Sequence, residues 1–196
     1  MHLIGSTMSF STEYKSKLFE AIDTIDMAKV DRVTETLTKA RDEGRQIFVF
    51  GNGGSAATAN HFACDIVKGA SYGHSKRFKI MALSEQIPTL TAYANDVGYD
   101  VIFVEQLRNF ARREDVVMAI SGSGNSPNVV RAIEYANEIG CHTIGLSGCS
   151  GGKMGEMVDL NVHVADHHMG RAEDGHMIIC HMVAYHFMDN CSNVEV

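Results

Sequence analysis

Four side chains stand out for their chemistry: His61, Asp65, Glu173 and His181. His61 and Asp65 are four apart in a helical stretch, so both point to one side of it. Glu173 and His181 are two helical turns apart near the end of the chain and can share a face. Two imidazoles and two carboxylates form a donor set that zinc accepts, and the same groups can move protons. Spacing alone leaves the plainer reading open, because a lone histidine on a helix is more often structural.

Three glycine-rich segments supply a second kind of chemistry. Gly51-Asn52-Gly53-Gly54-Ser55-Ala56 follows an apolar run and opens a helical pattern. Glycines let the backbone approach a ligand, and a helix start offers free N–H groups and a positive dipole end to an anion. The segment fits G-x-G-x-x-A, the dinucleotide fingerprint, but the acidic partner expected about twenty residues on is missing; Glu85 lies too far along. No G-x-x-x-x-G-K-[ST] occurs, which argues against a nucleotide P-loop. Ser121-Gly122-Ser123-Gly124-Asn125-Ser126 again joins a strand to a helix, with three hydroxyls able to donate to phosphate oxygens. A third segment, Ser147 to Gly152, reads as an ordinary Gly/Ser turn with an N-cap serine. The first two loops together predict a phosphate site.

The elements that must position these residues follow from periodicity. Leu18, Ile22, Ile25, Val30, Val33 and Leu37 recur at helical intervals, predicting helix over 9–43, either unbroken or broken near Thr24–Asp26, and ended by Gly44. Five apolar runs (Ile47–Phe50, Ile80–Leu83, Val116–Ile120, Thr143–Leu146, Leu160–Val164) alternate with helical stretches at 56–69, 101–112 and 127–139. A final helix covers 172–188, Pro88 sits near a helix start, and Pro127 takes the first helical position after Ser126. This alternation predicts one α/β domain spanning 1–196, a three-layer α/β/α sandwich on a five-stranded parallel sheet with N-terminal helices.

Composition narrows the class. The 196 residues are 45% hydrophobic and 21% charged, enough for a sizeable core. A formal charge of −7 argues against a nucleic-acid partner, and no apolar run reaches membrane-spanning length. The first residues lack the pattern of a signal peptide, and Met8 offers a second start that would make 1–7 an extension. Five cysteines with no C-x-x-C spacing read as free thiols in a reducing cytoplasm, and Cys64 as a small core residue. His163, His167 and His168 read as loop or edge residues, His176 and His186 as packed or at a subunit contact, and Arg171 as pairing with a carboxylate or reaching a ligand.

The first loop, His61-Phe62-Ala63, Asn95-Asp96, the run Ser121–Ser126 and Gly151-Gly152-Lys153-Met154 resemble the sugar-isomerase (SIS) fold, and more narrowly the bacterial phosphoheptose isomerases. The match spans roughly residues 45–190. It implies an enediol isomerisation of sedoheptulose 7-phosphate to D-glycero-D-manno-heptose 7-phosphate. It implies one zinc per subunit on His61, Asp65, Glu173 and His181, and acid/base roles for Asp65 or Glu173 with His181. Asn52, Gly53, Gly54, Ser55, Asn95, Asp96, Ser121, Gly122, Ser123, Ser126 and Glu173 become the substrate contacts, and a cytoplasmic homotetramer is implied. The chain departs from the family pattern at four positions: Asp65 stands for Glu, Glu173 for Gln, Gly122 for Thr and Gly170 for a substrate-contacting Asp. Two alternatives stay open: an isomerase of another sugar phosphate, and a non-catalytic SIS binding or regulatory protein of the replication-initiation type. Retention of the four-residue set argues against the second.

Overall fold

The computed structural model describes residues 8–189; the expectations for residues 1–7 and Cys191 fall outside them. Two helices come first, α1 (Phe10–Ile22) and α2 (Met27–Glu43), separated where the periodicity slips. Each has its own N-cap: Ser9 Oγ accepts from Thr12 N at 3.3 Å and Asp26 Oδ1 from Ala28 N at 3.1 Å. Gly44 ends α2 at φ 69°, a left-handed turn that glycine takes without strain.

Five strands follow: β1 (Gln46–Gly51), β2 (Lys79–Ala82), β3 (Val116–Ser121), β4 (His142–Ser147) and β5 (Leu160–His163). All pair in parallel in the order β2-β1-β3-β4-β5. The central strands are apolar without interruption because both faces are covered. Val49, Ile120, Ile144 and Val162 pack with Val33, Leu37, Phe62, Ile179 and Val183 on one face. Phe48, Phe50, Val117 and Ala119 pack with Phe103, Leu107, Val129 and Ile133 on the other. This alternation is the period of two that a strand imposes.

The remaining helices are α3 (Gly53–Cys64), α4 (Ile87–Asp96), α5 (Val104–Phe110), α6 (Pro127–Glu138), α7 (Gly152–Met157) and α8 (Met169–Asp189). Several expectations are corrected here. The helical stretch at 56–69 is α only to Cys64; Asp65–Gly69 forms a π-turn, with Ala70 N donating to Asp65 O at 3.0 Å. The 101–112 stretch is a 3₁₀ turn at Tyr99–Val101 followed by the short α5. The third loop launches α7, whose N-cap is Gly151 at φ 85° rather than a serine. Cys64 is exposed, because it lies on the α3 face opposite the sheet-packed Phe62 and Ala59.

Chain direction decides where the site falls. From β1 the chain moves to β2 on one side, and then returns to β3 on the other. The β1/β3 boundary is the topological switch point, where loops at the carboxyl ends of neighbouring strands diverge and leave a crevice.

Candidate active site

The three glycine loops leave the carboxyl ends of β1, β3 and β4, three adjacent strands. At the switch point Asn52 and Asn128 exchange a reciprocal pair of amide hydrogen bonds, each 2.9 Å, and the Tyr99 hydroxyl donates to Asn52 Oδ1 at 3.0 Å. Asn128 is buried and its Oδ1 also accepts from Val129 N at 2.9 Å. Asn52 is the N-cap of α3, yet its side chain is used across the crevice, to tie the first loop to α6. Neither Tyr99 nor Asn128 was picked out from sequence. The signal in the sequence is an asparagine directly after a Ser-Pro helix start.

In the second loop Ser121 Oγ accepts from Gly124 N at 3.1 Å and Ser123 Oγ from Asn125 N at 3.2 Å. These bonds shape the turn with the hydroxyl lone pairs and leave the O–H groups to donate. Ser126 caps α6 with no side-chain hydrogen bond to the helix. The third loop closes against the second, with Lys153 N donating to Asn125 Oδ1 at 3.0 Å and Met154 N to Gly124 O at 2.9 Å. Ser55 is buried in the first turn of α3, whereas Gly53 and Gly54 present exposed backbone.

Along α3, toward its C-terminal end, His61 Nε2 lies 3.2 Å from Asp65 Oδ2. His181 reaches across from α8, its Nε2 3.1 Å from His61 Nε2 and 3.9 Å from Asp65 Oδ2. The three donor atoms form a triangle open to solvent on one side, with Asp65 the most covered of the three. Donors held about 2.0–2.1 Å from a tetrahedral zinc stand roughly 3.3 Å apart; the two edges at His61 match that spacing, and the His181–Asp65 edge is wider and would have to shorten around an ion. Both imidazoles turn the same nitrogen inward beside a carboxylate. A short Asp65 suffices because it shares the helix face with His61.

Glu173 lies outside this triangle. Its carboxylate rests on the first turn of α3, where a Cβ placed on Gly54 would meet Oε2 at 2.8 Å and Oε1 at 3.0 Å. Glu173 and His181 thus do share a face of α8, as their spacing predicts, but they meet opposite ends of α3. Asn95 and Asp96 close α4, exposed, with Asn95 Nδ2 donating to Asp96 Oδ1 at 2.7 Å; neither bonds to the loops.

The beginning of α8 is held from outside the sheet. Tyr14 of α1 donates to Asp174 Oδ2 at 2.6 Å, which raises the phenol's pKa. Arg171 pairs with Asp166 through both Nε and an Nη, which holds the Asp166 carboxyl below its usual range. Arg171 is therefore a structural cation on this chain. A side chain at Gly170 would meet the Tyr14 hydroxyl at 3.1 Å and the His168 ring at 3.2 Å. His163 sits on β5, its Nε2 3.0 Å from Cys149 O, and His167 and His168 lie in the loop beyond it.

The SIS domain family profile matches residues 11–148. The chain is similar to the phosphoheptose isomerase of Syntrophotalea carbinolica, 37% identical over 180 residues that cover 90% of this chain and 91% of the relative. It is 40% identical to that of Geobacter sulfurreducens over 167 residues, 85% of this chain and 88% of the relative. Among solved structures, the phosphoheptose isomerase of Neisseria gonorrhoeae superposes with a TM-score of 0.83 at 30% identity, over 91% of this chain and 97% of that one. That of Francisella tularensis has the same fold, with a TM-score of 0.83 at 22% identity over 93% of this chain and all of that one.

Proposed function

The chain belongs to the SIS-domain family, among the phosphoheptose isomerases, and from that membership we infer an aldose–ketose isomerase that converts sedoheptulose 7-phosphate to D-glycero-D-manno-heptose 7-phosphate. The observation that carries this reading is the juxtaposition of two parts along one helix. The start of α3 belongs to a set of glycine and serine loops, and its end bears the His61–Asp65–His181 triangle.

The reaction moves a proton between adjacent carbons. A base takes it from the carbon beside the carbonyl, an enediol forms, and the proton returns to the neighbouring carbon. His61, Asp65 and His181 are the residues that would hold a zinc ion. When bound, that ion supplies a positive charge that polarises the carbonyl and hydroxyl oxygens. Nε2 of His181 cannot both ligate a metal and carry a proton. Of the three groups proposed for proton transfer, Glu173 is the one outside the triangle, and one carboxylate can serve both neighbouring carbons. Its position on the first turn of α3 is favourable for a carboxylate, since the helix start stabilises negative charge. Asp65 and His181 then act as ligands, and Glu173 as the base. The hydroxyls of Ser121, Ser123 and Ser126, with the backbone at Gly53 and Gly54, donate to the phosphate and nearest hydroxyls. Asn52 orients the first loop through Asn128 and Tyr99. Asn95 and Asp96 contribute at the rim of the crevice.

The proposed assembly, as the family resemblance implies, is a homotetramer with sites at subunit interfaces. No helix among the described residues is long and apolar enough to cross a membrane, in keeping with the proposed cytoplasmic location.

Elemental analysis of the purified protein, with an assay of sedoheptulose 7-phosphate beside pentulose and hexulose phosphates, tests the reading. Stoichiometric zinc and preferred turnover of the seven-carbon substrate are expected. No metal and no turnover of any sugar phosphate would favour a binding protein, and preference for a shorter ketose phosphate would move the substrate.

A further inference from the structure

We propose that Met169 is a specificity-determining residue of the phosphosugar site, an apolar cover on the second loop that the substrate touches. The inference rests on the reading above, that these loops hold a phosphosugar.

The first turn of α8 lies on all three glycine loops, and each contact uses the space of a missing Cβ. A Cβ at Gly54 would meet Glu173, one at Gly148 would meet Ala172 Cβ at 2.8 Å, and one at Gly122 would run into Met169 Sδ. The Gly148 contact is rigid, small group against small group, with Gly122 O also 2.9 Å from that Cβ position. The Gly122 contact differs. Its three nearest atoms are the Sδ, Cε and Cγ of Met169, the mobile end of an unbranched side chain. Gly122 is not in the left-handed region, so its backbone does not demand glycine. The thioether does.

Gly122 stands between Ser121 and Ser123, whose hydroxyls face the phosphate in the proposed site. The sulfur therefore covers the middle of the anion-binding segment. Gly122 is buried beneath it, while Met169 itself is 46% exposed. A ligand settling on the loop meets the outer surface of this side chain. A thioether donates no hydrogen bond and accepts weakly. It selects by contact with C–H surface, and a hydroxyl forced against it loses a partner. The substrate class is a sugar phosphate that turns a C–H face to the second loop near its phosphate.

Steady-state kinetics on sedoheptulose 7-phosphate and on five- and six-carbon ketose phosphates test this in the wild type, Met169→Ala, Met169→Leu, Gly122→Ala and the Gly122→Ala/Met169→Ala double variant. Removing the thioether should raise KM for the preferred substrate roughly tenfold, hold kcat within about threefold, and narrow the preference among chain lengths. Met169→Leu, which keeps the cover, should stay within about threefold of wild type. Gly122→Ala should displace the sulfur and behave like Met169→Ala, and the double variant should be no worse than either single one. Wild-type KM and selectivity in Met169→Ala, or full additivity in the double variant, would overturn the proposal while leaving the isomerase reading intact. A wild type that turns over no sugar phosphate would remove that reading first, and this one with it.

Discussion

The carboxylate of Glu173 lies flat on the backbone of Gly54, with Oε2 2.8 Å and Oε1 3.0 Å from where a Cβ would stand. A residue of the last helix is thereby held against the first loop, about 120 positions earlier in the chain, by the absence of one methyl group. Gly54 sits inside α3 and outside the left-handed region, so alanine fits its backbone.

Gly54→Ala should therefore separate stability from activity. Alanine in a helix gains about 0.5–1 kcal/mol over glycine, so a denaturant titration should find the variant at least as stable as wild type. Its kcat should fall by a factor of roughly ten or more as Glu173 is pushed aside. Glu173→Gln should lose turnover while retaining zinc. Unchanged kcat in both variants would return the base role to Asp65.

The metal prediction concerns the other end of α3. His61→Ala and His181→Ala each remove one corner of the triangle, and both should purify with little or no zinc. Addition of zinc to metal-stripped wild type should raise Tm, since a ligand at about 100 times its Kd adds about 2.7 kcal/mol. The two variants should lose that rise. A full rise in His181→Ala would place the metal elsewhere.

Asn128 is the hinge of the crevice. Asn128→Ala leaves Asn52 Nδ2 without its partner and takes one of the two acceptors of Val129 N, which keeps Ser126 O, in a largely buried setting. Such a loss costs about 1–3 kcal/mol. Because the first loop is freed, KM should rise more than kcat falls. A variant with normal stability and KM would mean that the pair is incidental.

His176 gives the fold a pH dependence. It is fully buried on α8, and burial lowers its pKa, with His163 nearby adding to the effect and the Ser147 backbone opposing it. A histidine with a lowered folded pKa stabilises the native state above its unfolded value of about 6.5 and loses that contribution as pH falls below it. Tm measured from pH 8 to pH 5 should decline in wild type, and less steeply in His176→Gln. Equal slopes would assign the decline to other groups.

Much of the fold was legible in the chain because the signals are local. The helical stretch before β1, the five strands, the Gly44 stop and the Pro127 start follow from periodicity, caps and backbone freedom, whereas the division of that stretch into α1 and α2 stayed open. The π-turn after Asp65 and the exposure of Cys64 were not legible. The first depends on which carbonyl an amide finds, the second on how α3 is rotated against the sheet. The His61–Asp65 pair was readable, being four residues apart on one helix. The partners that complete the site come from distant parts of the chain, and only strand order could bring them together. Crossing from β2 back to β3 creates the crevice where Asn52 finds Asn128. The packing of α8 along α3 sets His181 beside His61 and Glu173 on Gly54. Sequence determined which groups could bind an anion, ligate a metal and move a proton, since that is fixed by side-chain type and local backbone. Tertiary packing divided the work among them, because a distance between two helices is a property of the whole core.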